Sequence, residues 1–147
     1  MASITKAQFQ VVLEPVHRTF WKQAYKKLRR KISSLKSSLK KRSETAGVDF
    51  DITVEELELM FYECYGKQCK YCEKQLNIRT IACDHIVPLA KDGPSNAQNL
   101  QLVCRTCNTR KGPLDESDFL SVMEWVNEQP EELCNYLLRK LAKGGRY

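Results

Sequence analysis

Seven of the 147 residues are cysteine, and four of them fall into two pairs, Cys69-x-x-Cys72 and Cys104-x-x-Cys107. A two-residue gap lets both thiolates reach one ion from a tight turn. Two such turns supply four ligands, which suits a closed tetrahedral zinc site. With no open coordination position, that ion is structural, not catalytic. Free thiols or a redox pair are the plainer alternatives. Thirty-one residues separate Cys72 from Cys104, more than in a simple zinc ribbon, so something is inserted between the knuckles. Cys64, Cys83 and Cys134 are left over. Cys64 could in principle substitute for Cys69, but C-x-x-C geometry favours Cys69; Cys83 and Cys134 read as packing residues.

A second constellation lies in and beside that insertion: Asp84-His85, Asn99 and Asn108. A carboxylate and an amide oxygen are hard ligands that suit a partly hydrated magnesium ion. A neutral imidazole takes a proton from water near neutral pH, its unperturbed pKa being about 6.5. An asparagine between them can fix a backbone or a ring by hydrogen bonding. His17 has no such company and reads as a structural or surface residue.

The run CKYCEKQL…ACDHIVPLAKDGPSNAQNLQLVCRTCNTRKG resembles the HNH endonucleases of the ββα-metal (His-Me finger) superfamily. It is most similar to the subgroup whose motif is framed by a four-cysteine zinc site. The likeness covers roughly residues 50–115. The letters H-N-H correspond to His85, Asn99 and Asn108, so the last position is Asn where the name has His. Asn still offers an oxygen ligand, and the departure leaves the identity of the ion open.

The resemblance implies an α+β fold, with two antiparallel strands and a helix tied by zinc at Cys69, Cys72, Cys104 and Cys107. It implies that His85 is the general base, and that Asp84 and Asn108 hold one divalent ion, Mg2+ or Mn2+. It implies that Asn99 locks the loop and orients His85. The expected activity is hydrolysis of a DNA phosphodiester, by nicking or double-strand cutting, to a 5′-phosphate and a 3′-hydroxyl.

The elements that position these residues follow from pattern. Thr53-x-x-Glu56 is a capping box ahead of a helix with Leu57, Met60, Phe61 and Cys64 at helical spacing, ended by Gly66. A strand is expected over Ile78–Ala82, a loop over 91–96 and a second strand over Leu100–Val103. A short helix is expected from Arg105 to Lys111, stopped by Gly112-Pro113. Two helices follow. One spans Glu116–Asn127, with Phe119, Leu120, Met123 and Val126 on one face; the other runs from Pro130 to Gly144-Gly145.

Upstream, residues 1–16 carry little signal, and Pro15 breaks or starts an element. Arg18 to Arg42 reads as one long helix. Trp21, Tyr25, Leu28, Ile32, Leu35 and Leu39 form a near-heptad seam on it. The seam fits either packing on the body or pairing with a second copy. Ser43 to Asp51, with Gly47, reads as a linker.

Charge divides the chain. The net is +10 over residues 1–47 and −4 over 48–147. A basic arm is a usual footprint for a polyanion, although a charge run is more often a solvated face. The residues expected to meet nucleic acid are Lys26, Lys27, Arg29, Arg30, Lys31, Arg105, Arg110 and Lys111. Three units result: a basic helical arm (1–47), an HNH nuclease core (48–115) and a C-terminal helical extension (116–147). The expected partner is double-stranded DNA, and a homodimer through the 21–39 helix is one of the two uses open to the seam. A catalytically silent zinc module that binds DNA and a basic coiled-coil interaction protein are the rival classes. A silent module has no need of all four of Asp84, His85, Asn99 and Asn108.

No apolar run approaches the ~20 residues of a membrane helix. The first residues lack the apolar core of a signal peptide, so a cytoplasmic address is the default. Small size and an appended basic helix look like a phage or mobile-element nuclease, which would place it in the host cytoplasm.

Overall fold

The computed structural model describes residues 2–143. Its architecture is α+β, with a two-stranded antiparallel sheet and a helix at its centre and helices around them. The expected end of the last helix at Gly144-Gly145 lies outside the described residues.

Helix α1 (Lys6–His17) starts on a capping box in which Thr5 and Gln8 bond reciprocally, and it carries Pro15 within it. Its Phe9 and Leu13 are fully buried, so the segment that carried little sequence signal forms core. A single 3-10 turn (Arg18–Phe20) leads into α2 (Trp21–Ala46). The long helix therefore runs past Arg42 to Ala46, and the expected linker begins only at Gly47. Gly47 adopts a left-handed conformation (φ 69°) and closes the helix, its N–H donating to Glu44 O.

The seam of α2 is spent within the chain. Leu28, Ile32 and Leu39 are buried in one core with Leu57, Phe61, Leu102 and Val103. Each such side chain contributes roughly 1.5–3 kcal/mol of burial. A homodimer through residues 21–39 would have to use those same faces, so the expected pairing has no seam left to pair with. Helix α3 (Val54–Cys64) begins on the Thr53–Glu56 capping box as expected. Its Glu58 is buried and accepts hydrogen bonds from Ser3 Oγ, Ile4 N and Arg29, tying the N-terminus and α2 to the body.

Strand β1 (Phe50–Asp51) pairs in parallel with β3 (Ser95–Asn96). Strands β2 (Ile81–His85) and β4 (Leu100–Cys104) pair antiparallel, with Asp84 opposite Gln101 and His85 opposite Leu100. The sheet strand starts at Ile81, later than the Ile78 expected from apolar character. Asn77 explains this: its side-chain oxygen accepts from Arg79 N and its carbonyl from Thr80 N, holding 77–80 in a turn. Helix α4 (Arg105–Lys111) follows β4 directly, completing a ββα unit with β2 and β4. Helices α5 (Glu116–Asn127) and α6 (Glu131–Ala142) pack on each other, and α6 also lies on α4. Phe119 and Val126 are buried on α5, but Leu120 is half exposed and off the expected face. Among the described residues no helix is long and apolar enough to cross a membrane.

Candidate active site and metal centre

The four paired cysteines converge. Their sulfur atoms all lie within 4.8 Å of one another, and Cys72 Sγ is 3.6 Å from Cys104 Sγ. Zn–S bonds of about 2.3 Å set sulfur–sulfur edges of about 3.8 Å in a tetrahedron, so the cluster is the right size for one zinc ion. The first knuckle is a narrow hairpin closed by Cys69 N to Lys74 O and Leu76 N to Lys67 O. The second joins the end of β4 to the first turn of α4. Backbone N–H groups already point at sulfur: Cys104 N donates to Cys69 Sγ and Cys107 N to Cys104 Sγ. Burial opposes ionisation of Cys69, but the N–H groups of Cys104, Tyr71 and Cys72 outweigh it and hold this thiol below its ordinary value. Burial and the neighbouring thiols push Cys104 and Cys107 up. A cation among them would relieve that crowding. Cys64, Cys83 and Cys134 are not in the cluster.

A second site involves the end of the β2–β4 pair opposite Cys104. Asp84, His85 and Asn108 line one cleft of about 250 Å³, together with Arg42, Cys83, Pro88 and Gly112. Asp84 and His85 end β2, and Asn108 lies one turn into α4. Each oxygen of the Asp84 carboxylate is already engaged. Lys111 Nζ is 3.2 Å from Oδ1, and Gln101 Nε2 donates to Oδ2 at 2.8 Å. Burial pushes this carboxyl above its ordinary value, against the pull of Gln101 and Lys111. A carboxylate oxygen keeps a further lone pair beside one hydrogen bond, so Asp84 and Asn108 retain donor capacity toward the cleft. Two oxygen donors suit a divalent ion that keeps most of its water.

His85 is buried, and burial with the nearby charges of Arg42 and Lys111 pulls its imidazole down to about 4. It is therefore neutral at pH 7, as a base must be. Its Nε2 lies 2.8 Å from Ser95 Oγ. Its Nδ1 makes no hydrogen bond among the described residues and is not sealed from solvent. Cys83, on the same wall, is pushed up to about 12 by burial and stays a thiol.

Asn99 does not line the cleft. Its Nδ2 donates to Val87 O (2.9 Å) and Pro94 O (2.8 Å), and its Oδ1 accepts from Val87 N (2.9 Å). It thus staples the 86–95 loop that follows His85. Gly93 makes the closure sterically feasible, because a Cβ there would fall 1.8 Å from Val87 O. Ser95 is hydrogen-bonded to the His85 ring, and the sequence did not single it out.

The basic residues expected to meet nucleic acid separate into two groups. Lys26, Lys27, Arg30 and Arg105 are exposed. The other four have partners or cover within the fold. Arg29 pairs with buried Glu58, and Lys31 Nζ donates to Ile81 O at 2.8 Å. Lys111 is buried against Asp84, and Arg110 is half-buried beneath α6, beside Leu137 and Leu141. The pattern of charge in the sequence does not reveal these partners within the fold. Arg42, absent from the expectation, is exposed on the cleft wall.

Residues 69–114 match the family model for HNH endonuclease. Over 46 residues the chain is 44% identical to a CRISPR-associated endonuclease Cas9 of Corynebacterium diphtheriae. That stretch is 31% of this chain and only 4% of the length of that relative. No solved structure matches the chain. The clustered cysteines lie within or at the edge of that matched segment and fit the zinc type of HNH endonuclease.

Proposed function

We propose that the protein is a metal-dependent endonuclease that hydrolyses phosphodiester bonds in double-stranded DNA. The observation that carries this reading is the cleft that gathers Asp84, a neutral His85 and Asn108. The HNH match over residues 69–114 supports it.

His85 accepts a proton from the attacking water. Asp84 and Asn108 would hold one divalent ion, Mg2+ or Mn2+, which when bound supplies positive charge for the scissile phosphate and the departing 3′ oxygen. Asn99 keeps the loop after His85 in one conformation, so the ring meets the substrate prearranged. Lys111 and Gln101 fix the Asp84 carboxylate from behind. Arg42 places a positive charge at the cleft mouth, where a phosphate must approach. The four-cysteine site would hold structural zinc and join β4 and α4 to the first knuckle. Lys26, Lys27, Arg30 and Arg105 supply sequence-independent affinity for the DNA backbone. The nuclease core is assigned to residues 48–115, and a cytoplasmic enzyme of a phage or mobile element is the setting we favour.

The decisive assay is cleavage of supercoiled plasmid by the wild type and His85→Ala, with and without magnesium. Cutting by the wild type alone, abolished by chelation, is the expected result. Equal cutting by both proteins would remove His85 from the mechanism. DNA binding by both proteins with no cutting under any divalent ion would favour the silent zinc module.

A further inference from the structure

Two cavities meet beside the turn that joins α1 to α2. One, of about 300 Å³, is lined by His17, Phe20, Gln23, Lys27, Ile78 and Arg79. The other, of about 390 Å³, shares His17, Phe20 and Arg79 with it and extends along Gln75 and Asn77. Each is large enough for a small organic ligand. Phe20 lines both and is 68% exposed. The turn that presents it is strained: Arg18 has φ 51° and ψ −122°, a conformation that residues other than glycine rarely adopt.

The charges beside the ring are unbalanced. Lys27 and Arg79 are exposed, and neither pairs with a carboxylate among the described residues. Burial lowers the His17 pKa, and Arg79 and Lys27 lower it further, so both positive charges bear on one place. Like charges gathered without a counter-ion cost free energy, which a bound anion relieves. A nucleotide offers what the pocket lacks, a flat base for the ring and a phosphate for the cations. The pocket also lies on a line with the active centre. Lys27 lines it, Lys31 Nζ donates to Ile81 O at the start of β2, and Arg42 stands on the cleft wall with Asp84 and His85. All three lysine and arginine residues belong to α2, and the helix rises about 22 Å from Lys27 to Arg42.

We propose that this pocket is a nucleotide subsite for the DNA substrate: the base of one unpaired nucleotide stacks on Phe20, and Arg79 and Lys27 hold its phosphate. The inference rests on the DNA-cleaving reading of the cleft and names the kind of DNA that the cleft receives. Bases inside a duplex are already stacked on their neighbours, so only an unpaired nucleotide can offer its face to the ring. The strand follows α2 from the cleft, past Lys31, to the pocket. At 3.4 Å per step of a B-form strand, 22 Å is about six steps. The favoured substrate is therefore duplex in the cleft and ends or opens about six steps from the scissile bond.

The test is fluorescence anisotropy with the full-length, zinc-loaded protein in magnesium-free buffer. The probes are a dye-labelled oligothymidylate, an abasic oligonucleotide of the same length and a blunt hairpin duplex. Phe20→Ala should bind the oligothymidylate roughly 5- to 150-fold more weakly than the wild type, the loss of one stacked base. It should bind the abasic strand and the duplex as the wild type does. Phe20→Leu, which keeps apolar bulk without a flat ring, should lose most of that affinity, and Phe20→Trp should retain it. Arg79→Gln should weaken the oligothymidylate and the abasic strand alike and shallow the salt slope by roughly 0.7. Both side chains are exposed, so the variants should melt with the wild type. Wild-type affinity of Phe20→Ala for the oligothymidylate would overturn the proposal. So would an equal loss on the abasic strand, or no binding of the oligothymidylate by the wild type. None of these measurements requires cutting. If His85→Ala cuts plasmid as well as the wild type, the nuclease reading of His85 fails, while the Phe20 variants still decide whether the pocket takes a nucleotide.

Discussion

Lys111 holds its ammonium 3.2 Å from Asp84 Oδ1 with its side chain wholly buried and that of Asp84 only 6% exposed. The same nitrogen donates to the His85 carbonyl at 2.7 Å. One lysine from the end of α4 therefore fastens the two consecutive residues that end β2. Its position just after the last knuckle made it look like a phosphate contact, but the fold turns it inward.

Removing one partner of a buried ion pair leaves an uncompensated charge and costs roughly 3–5 kcal/mol. Lys111→Met, which keeps the apolar stem, should lower the urea midpoint by an amount of that order. The paired variant Asp84→Asn with Lys111→Met should recover much of the stability, because no charge is then left buried alone. If Lys111→Met unfolds at the wild-type midpoint, the contact has no structural role.

Zinc binding should be inseparable from folding. The four thiols crowd one another, and the ion would tie the first knuckle to the junction of β4 and α4. One zinc per chain is expected by elemental analysis. Cys72→Ser should lose it and should melt at a markedly lower temperature. Cys64→Ala and Cys83→Ser should keep full zinc content, since neither sulfur belongs to the cluster. Strong chelation should unfold the protein cooperatively, as for other small structural zinc sites. Retention of zinc by Cys72→Ser would point to another ligand set.

Local signals in the sequence were legible because local physics decides them. The Thr53–Glu56 capping box, the stop at Gly112-Pro113 and the two C-x-x-C turns each depend on neighbours a few residues apart. The zinc cluster and the cleft followed from spacing and from the family likeness. What escaped depends on contacts made across the chain. Whether the seam of α2 faces a second copy or its own core is not written in a heptad, which looks the same in both cases. Ser43 looked like linker because Ser-Glu-Thr-Ala-Gly is polar, yet its burial is created by β3, 52 residues on. Ser95 sat in a Gly-Pro-Ser-Asn loop and gave no sign that His85 would come within hydrogen-bonding distance.

The basic face of α2 should separate affinity from stability, residue by residue. Lys27→Gln and Arg30→Gln remove exposed charges, so they should weaken DNA binding and leave the melting temperature unchanged. Each phosphate that is no longer neutralised should shallow the slope of log affinity against log salt by roughly 0.9. Arg29→Gln should do the reverse, destabilising the fold because Glu58 is left buried with only Ser3 and Ile4 for partners. Deleting residues 1–47 is a poor test of the arm, since it removes Leu28, Ile32 and Leu39 from the core and Ser43 from the site. Unchanged salt slopes for both exposed-charge variants would put the DNA on another face.

Stability should fall on mild acidification through His17. This ring at the end of α1 contacts the Tyr65 hydroxyl, which in turn accepts the Ile78 N–H at the zinc-knuckle side. Burial pushes Tyr65 up to about 12, so its hydroxyl stays protonated and available to donate to a neutral imidazole. Burial holds the His17 pKa below its ordinary value, and the positive charges of Arg79 and Lys27 add to the effect. The sign follows from linkage. Between the depressed folded pKa and the unfolded value near 6.5, the unfolded chain binds more protons than the native one, so stability rises with pH there. The stabilisation is fully present above about 6.5 and is lost as pH falls through the folded pKa. Wild-type urea midpoints should therefore drop between pH 7.5 and 5.5. His17→Gln, which cannot titrate, should show a smaller drop over the same interval. Parallel pH profiles for the two proteins would show that the imidazole near Tyr65 titrates no differently folded than unfolded, and would assign the acid sensitivity to other groups.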